Sequence, residues 1–501
     1  MTKRRAFYTD ATMATVWQRG LDCDRKGSPE HLPENTRVRP MRGSQKMGCK
    51  MKLVVQTVSK DEPHRPWKIV HTRNGSQVHN HTASEDARVH ACHRRRAAAA
   101  ENGGGTTQSV QALVEAQTAA GVSVASIRAT LIQANHDSFV IPKDIANTRS
   151  AVRSHELSTN TAMEALFADL SKRGFLYRYE TNQETQELRY LFWAHPSTAA
   201  LYRRHYDVLV VDCTYKTNKF KVPLFNIISV TGFNTVLPVA QCWLPGETEG
   251  DYVWALNMMR LFWIEKNVDL PGVVLSDREQ ACMNAVDWVL PEIPTMVCRW
   301  HMNTNVEAMA RKHLGQVTVV DPVTGVNTKE NTWEADAFLA AFHEAVDSKT
   351  ESEFETRRAA LKECVPSKLS FKALKEHSEY LASYLDINWW KYKERIVRVW
   401  TDRYPHFGVR DTSLVEGTHA KCKGWIRSSR GDLYTVFKSL LPWWEGAAAD
   451  NRLISARNAV ITPALLQPSH FAAVVRVITV YALTETQKLW KDAYKVVYSR
   501  L

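Results

Sequence analysis

Long apolar runs are missing from this sequence. Nowhere do about 18 consecutive apolar residues occur, so no membrane span is expected. The N-terminal stretch MTKRRAFYTDATM has no apolar segment, so it does not read as a secretory signal. Cysteine is sparse: nine are scattered through 501 residues. Without a secretory signal, that pattern fits a reducing compartment, where paired cysteines serve metals rather than disulfides. No long internal repeat is evident.

Charge is present and unevenly placed. The chain carries a formal net charge of +12. Residues 1–100 hold 20 Lys and Arg against 9 Asp and Glu, a net of +11, so nearly all the excess lies in the first fifth. A concentrated basic segment suggests a polyanion partner, nucleic acid first. A solvated basic tail is the plainer alternative. At 44% apolar and 10% aromatic, the rest is rich enough to build sizeable cores in two to four domains.

The chain changes character along its length. KMKLVVQTV and WKIVHT read as short strands within residues 1–92. A breaker, HRRRAAAAENGGGTT, gives a linker over 93–107. Residues 108–160 carry helical spacing in SVQALVEAQTAAG and SVASIRATLIQAN, separated by Gly121, with Ser123 as a cap and a further helix near Pro142. Short helices with tight turns suggest a helix-turn-helix-like module; a plain helical spacer fits equally. Over 161–302 an amphipathic helix gives way to alternating strands and helices, the pattern of an α/β sheet packed by helices. Residues 303–410 look helical and charge-rich, 411–445 hold another helix, and 446–501 end with helical periodicity.

Two apolar strands end in an acid: Asp212 after VLVV and Asp277 after VVLS. A carboxylate at a strand end points into a crevice at the sheet edge, with its position fixed by the strand. Two such groups close together repel unless a cation sits between them. Hard oxygen ligands select Mg²⁺ or Mn²⁺. A pair of ions about 3.5–4 Å apart activates a water or 3′-hydroxyl and stabilises the leaving oxygen in phosphoryl transfer. Alternatively each Asp merely caps the following turn.

These residues carry a resemblance. DCTYKTNKFKVPLFNIISVTG resembles the first catalytic block of Mutator-like element (MULE) transposases. SDREQACMNAV resembles their second block, and MVCRWHMNTNV their Cys-x2-His block, here Cys298 and His301. DTSLVEGTHAKCKGWI is similar, more weakly, to the block with the family's final Glu. The resemblance implies an RNase H-like mixed sheet, a helical insertion, and Asp212, Asp277 and Glu416 as catalytic ligands for two Mg²⁺ or Mn²⁺ ions. Glu279, Asp287 and Asp411 compete for the third place. Cys298 and His301 have a metal-like spacing but make only half a zinc site, and their role stays open between structure and active-site positioning. Lys216, Lys219 and Lys221 neutralise DNA phosphates or form a solvated charge run.

A second constellation is Cys23, Cys49, His79 and His81. Two Cys followed by His-x-His provide four ligands for tetrahedral Zn²⁺, though the spacing is long. GCKMKLVVQ, WKIV and HNH together resemble the WRKY/GCM-like zinc finger of MULE transposases and of plant far-red-response regulators derived from them. That resemblance implies a β-sheet set against DNA, with Lys50, Lys52, Lys68 and Arg73 on its strands facing phosphates. Cys92 or His71 could replace Cys23. Many relatives have a later Cys-x-Cys and Cys-x-His motif; here Cys422 is the last cysteine.

The expectation is therefore a nuclear DDE-type DNA transposase. It would act on double-stranded DNA, at terminal inverted repeats and at target sites, as a homo-oligomer and without a membrane. A catalytically silent, domesticated DNA-binding regulator is the alternative.

Overall fold

The computed structural model describes residues 2–8, 15–28, 45–62, 64, 66–70, 76–86, 89–90, 93–94, 110–134, 136, 140–320, 325–363, 372–410, 413–467 and 469–498. The chain divides into two compact units: residues 1–111 with 128–144, and residues 112–127 with 145–501. Among the described residues, no helix is long and apolar enough to cross a membrane.

The first unit contains an antiparallel sheet in sequential order: β1 (Thr2–Tyr8), β2 (Val16–Asp22), β3 (Lys52–Thr57) and β4 (Trp67–Val70). The two runs read as strands from the sequence are β3 and β4; β1 and β2 are additional. Cys23 at the end of β2 donates its amide to Met51 O (3.0 Å), and Gly48 donates to Gly27 O (2.8 Å). Both glycines have positive φ, 71° and 84°, where a side chain would be strained. After it come α1 (Val110–Ala119), α2 (Val124–Ala134) and α3 (Pro142–Leu157), of which residues 112–127 and 145–157 belong to the second unit. Ser123 caps α2 by accepting from Ser126 N at 3.0 Å.

The second unit is built on a seven-stranded mixed sheet. Its strands are β5 (Leu176–Thr181), β6 (Leu188–Ala194), β7 (Val208–Thr214), β8 (Leu224–Val230), β9 (Val236–Trp243), β10 (Val273–Ser276) and β11 (Thr295–Val297). Their order is β11-β10-β7-β8-β9-β6-β5. β10 runs parallel to both β7 and β11, and the other pairs are antiparallel. All seven residues of β8 are buried, so the centre of this sheet is covered on both faces.

Side-chain alternation divides the two faces. Leu209, Val211 and Val274 pack with α5 (Thr198–Tyr202), α6 (Glu249–Lys266) and α7 (Gln280–Val289). Val208, Val210, Val273 and Leu275 point the other way, onto Val409 and Tyr404. Farther along that second face, Leu191, Trp193, Leu224 and Trp243 pack against α4 (Ala162–Lys172), α12 (Ser413–Ile426) and α13 (Leu433–Val460). Buried Asp251 fixes the start of α6. Its carboxylate accepts from Thr248 N (3.0 Å) and from the Tyr190 hydroxyl (2.7 Å).

Between β11 and α12 lies a separate core of α8 (Arg299–Leu314), α9 (Trp333–Val346), α10 (Glu351–Ala360) and α11 (Lys372–Asn388), with Phe338, Phe342, Phe354 and Trp389 fully buried. This insertion is not all helical, as the sequence suggested. Gln316–Val320 and Asn327–Asn331 form an antiparallel hairpin. Gly315 (φ 96°) ends α8, and the β-branched run VTVV then pairs rather than coils. A long final helix, α14 (Val480–Tyr498), follows α13.

Candidate functional site

The register of the sheet brings the two acids together. Val273, Val274 and Leu275 of β10 face Val208, Leu209 and Val210 of β7 in a parallel ladder. Asp277 and Asp212 each lie two residues beyond the last of these pairs, so they stand at the same level on neighbouring strands. They also share a face, since each lies an even number of residues from the inward pairs Val208/Val210 and Val273/Leu275. Ser276 pairs with Val297 of β11, which sets Cys298 beside Asp277 on the next strand. Cys298 donates its amide to Ser276 O (2.8 Å) and precedes the first residue of α8. His301 follows on that first turn, its ring edge-on to Trp300.

A polar row continues across the sheet from Asp212, which pairs with Asn226 on β8. Asn226 donates to Thr214 Oγ1 (2.9 Å), Gln241 donates to Asn226 Oδ1 (2.7 Å), and Trp444 Nε1 donates to Gln241 Oε1 (3.0 Å). All are buried, so this chain of bonds fixes the floor beside Asp212 and ties α13 to it.

The remaining acids differ in role. Asp277 Oδ1 accepts from Glu279 N (3.0 Å). Glu279 caps α7 by accepting from Cys282 N (2.7 Å), and Asp287 pairs with Arg395 (2.6 Å). Both of these competitors therefore have structural duties. Asp411 lies outside the described residues, and so does Arg73. Glu416 lies on α12, three residues after its first residue. The approach to α12 is anchored on the sheet: Arg299 N, at the start of α8, donates to Arg410 O (3.0 Å), and Val409 belongs to the core cluster of Val210 and Leu275. Thr418, Cys422 and Ile426, four residues apart, form the buried stripe of α12.

One carboxylate was missed by sequence reasoning. Glu247, in the turn before α6, accepts from the hydroxyls of Tyr215 and Tyr252, the latter at 3.1 Å. Burial pushes the Cys282 thiol well up, and the charges of Asp277, Glu279, Asp212 and Glu247 push it further. The four carboxylates are therefore all within electrostatic reach of one buried thiol. Burial also raises the Tyr215 hydroxyl, helped by its bond to Glu247 and by the charge of Asp277. Such a site suits a divalent cation: strands about 4.8 Å apart present two hard oxygen donors side by side.

A rigid loop borders the acids. Asn218 is buried and its Oδ1 accepts from Phe220 N (3.1 Å) and Val222 N (3.2 Å). Lys219 donates its amide to Gly431 O (2.9 Å). Lys216 and Lys221 sit at positive φ, 58° and 61°. Lys216, Lys219, Lys221 and the Phe220 ring all face solvent.

In the first unit, the donor atoms of Cys23, Cys49, His79 and His81 lie within 4.8 Å of one another. Cys23 Sγ is 3.3 Å from His81 Nε2, Cys49 Sγ is 3.5 Å from His79 Nδ1, and the two histidine nitrogens are 3.3 Å apart. Metal–sulfur and metal–nitrogen bonds of about 2.3 and 2.0 Å give tetrahedral edges of about 3.3–3.8 Å. The four donors thus fit one tetrahedral ion. His81 Nδ1 lies 2.8 Å from Thr82 O, which fixes the ring. Burial raises the Cys49 thiol, but backbone donors from Met51 and Asn80 and the His79 ring outweigh it and bring the thiol to about 6. Cys92 and His71 lie outside the described residues. Lys50 is exposed and precedes β3 rather than lying on a strand. Lys52 and Lys68 share one face, because Lys68 faces Gln56, which is on the same side of β3 as Lys52.

Comparison with known proteins places these features. Residues 208–305 match the model of the MULE transposase domain. That span contains Asp212, Glu247, Asp277, Cys298 and His301. Protein FAR1-RELATED SEQUENCE 5 of Arabidopsis thaliana is 21% identical over 387 residues, covering 75% of this chain and 43% of that protein. The PKS-NRPS hybrid synthetase cheA of Chaetomium globosum is 23% identical over 426 residues, 83% of this chain but 8% of that protein. The chain thus spans less than half the length of either relative. A chain of the Drosophila P element transposase strand transfer complex aligns with a TM-score of 0.29 at 10% identity, over 68% of this chain and 92% of that one, a score too low to establish a shared fold. The centre of the sheet is thus a MULE transposase domain, carried by a chain similar over most of its length to FAR1-RELATED SEQUENCE 5.

Proposed function

We propose that the protein is a DDE-type DNA transposase, cleaving a phosphodiester at an element end and joining the freed 3′-hydroxyl to target DNA. The observation that carries this reading is the level placement of Asp212 and Asp277 on adjacent parallel strands inside the MULE domain. The mixed sheet with acids at neighbouring strand ends supports an RNase H-like core. Asp212 and Asp277 would hold two Mg²⁺ or Mn²⁺ ions, and Glu416 from α12 would complete the set. Bound there, the ions would activate the attacking oxygen and stabilise the leaving one. Glu247, oriented by two tyrosine hydroxyls, adds negative charge to the same crevice. Lys216 and Lys219 hold backbone phosphates near it, so the chain contributes mainly positioning and electrostatics.

The four N-terminal donors would hold Zn²⁺, setting Lys50, Lys52 and Lys68 against double-stranded DNA at the terminal inverted repeats. The protein would work in the nucleus as a homo-oligomer on paired ends.

A strand-transfer assay with Mg²⁺ and short inverted-repeat substrates tests the reading. Wild type should give joined product, and Asp277→Ala should give none. Equal absence of product from both, across plausible ends, would remove the enzymatic reading. The resemblance to FAR1-RELATED SEQUENCE 5 favours a second one: a catalytically silent DNA-binding regulator. That reading requires wild type to bind DNA, depend on the zinc site for it, and yield no joined product.

A further inference from the structure

A cavity of about 560 Å³ opens at the end of the sheet opposite the acids. It lies by the start of β7 and the β8–β9 turn, whereas Asp212 lies near the far end of β7. From Val208 to Asp212 the strand alone spans about 13 Å. Its walls include Arg204 and His205 before β7, Phe233 in the turn, Arg452 on α13, and Arg476 before α14.

Three arginines line it and no Asp or Glu does; of the three, Arg476 donates its Nε to Thr462 Oγ1 (3.4 Å). Among the described residues, none forms an ion pair with Arg204, Arg452 or Arg476. Elsewhere in this unit arginines do find carboxylates, as in Arg358–Asp386 and Arg395–Asp287. Three like charges around one cavity repel each other, and a bound anion would relieve that.

The walls are built rather than loose. Thr479 Oγ1 donates to Gly232 O (2.6 Å), and Asn458 accepts from Val480 N (2.6 Å) while donating to Ile478 O (3.3 Å). These bonds join the β8–β9 turn, α13 and the approach to α14. Arg476 itself sits at φ 67°, a conformation strained for a non-glycine residue that persists where the surroundings hold it. The Phe233 and His205 rings meet edge to face at 5.7 Å, and both line the cavity.

We propose that this cavity is a phosphate-binding site for a nucleotide unit. The three arginines take the phosphate oxygens, and the Phe233 and His205 rings offer apolar contact to the base. The phosphate could belong to a DNA strand or to a free nucleoside phosphate. The site holds no part of the acid pair, so it stands or falls apart from the catalytic reading.

The test is titration calorimetry of the zinc-loaded full chain in buffer without Mg²⁺ or Mn²⁺, which leaves the acids without those ions. The probes are pyrophosphate, a nucleoside triphosphate and a 12-residue single-stranded oligonucleotide. Wild type should bind a phosphate probe at one site, and Arg204→Ala with Arg452→Ala should weaken it about tenfold or more, the loss of charge-assisted bonds. Arg452→Lys should keep most of the affinity. Both arginines are exposed, and an unchanged melting temperature will confirm that the variants fold. A DNA source makes the oligonucleotide the tighter probe, displaced by pyrophosphate; a free nucleotide source makes the triphosphate tighter and immune to the oligonucleotide. Either pattern, with loss in the double variant, supports the site. No phosphate binding by wild type, or equal constants in wild type and double variant for every probe, overturns it.

Discussion

Removing one charge from the acid pair should stabilise the protein without metal and destroy its response to Mg²⁺. Asp277→Asn is the cleanest change, because the amide keeps an Oδ1 to accept the bond from Glu279 N. Neighbouring strands lie about 4.8 Å apart, so the two carboxylates sit on the order of 5 Å from each other. At that distance two like charges repel by about 1 kcal/mol in bulk water and about 3 kcal/mol at an effective dielectric of about 20. The variant should therefore melt a few degrees higher than wild type in EDTA. Wild type in Mg²⁺ at about ten times its dissociation constant gains about 1.4 kcal/mol, while the variant gains far less. Differential scanning calorimetry in EDTA and in Mg²⁺ reads both. A variant less stable than wild type in EDTA, with an undiminished Mg²⁺ shift, would refute the paired-ligand account.

Purified protein should contain about one zinc per chain, and His79→Ala with His81→Ala should lose it, as read by metal analysis after dialysis. The Cys49 thiol, brought from 9.0 to about 6 in the folded state, makes the metal-free first unit most stable above pH 9, with that contribution lost as pH falls through about 6. Unfolding followed from pH 9 to 5 should show this slope, and Cys49→Ser should flatten it. Gln241→Leu conserves volume but strands Asn226 Oδ1 and Trp444 Nε1 in a buried setting, so urea unfolding should show a loss of about 2–4 kcal/mol.

The strand ends at Asp212 and Asp277 were legible because a buried parallel strand reads as a continuous apolar run, and an acid at its end stands out. Their pairing was not, since register depends on which strands become neighbours. Glu247 hid in PGETEGD, an ordinary polar turn, and its partners Tyr215 and Tyr252 declare themselves only in three dimensions. β1, with the sequence TKRRAFY, lacks clean alternation, so no strand was legible there. Cys23 sits in unpromising surroundings, LDCDRKG, yet its amide bond to Met51 O carries it to Cys49. Arg204, Arg452 and Arg476 are too far apart in sequence for any motif to join them.

The geometry also divides the acidic set by how firmly each member is held. Asp212 lies within a strand bonded on both sides, by β10 and by β8. Asp277 lies one residue beyond β10, in a turn held by its own bond to Glu279 N and by Arg278, whose guanidinium lies 4.3 Å from the Trp389 ring and donates to Asn388 O (2.9 Å). The insertion thus grips the turn that carries the second acid. Glu416 belongs to a helix reached only after the chain has built that insertion, and it lies outside the span matched to the MULE domain. The proposed cation pocket would need its most repulsive neighbours fixed most rigidly, and the sheet does fix the two aspartates. Glu416 instead rides on α12, a helix held to the sheet by Cys422 and Ile426 and approached through Arg410 O and Val409.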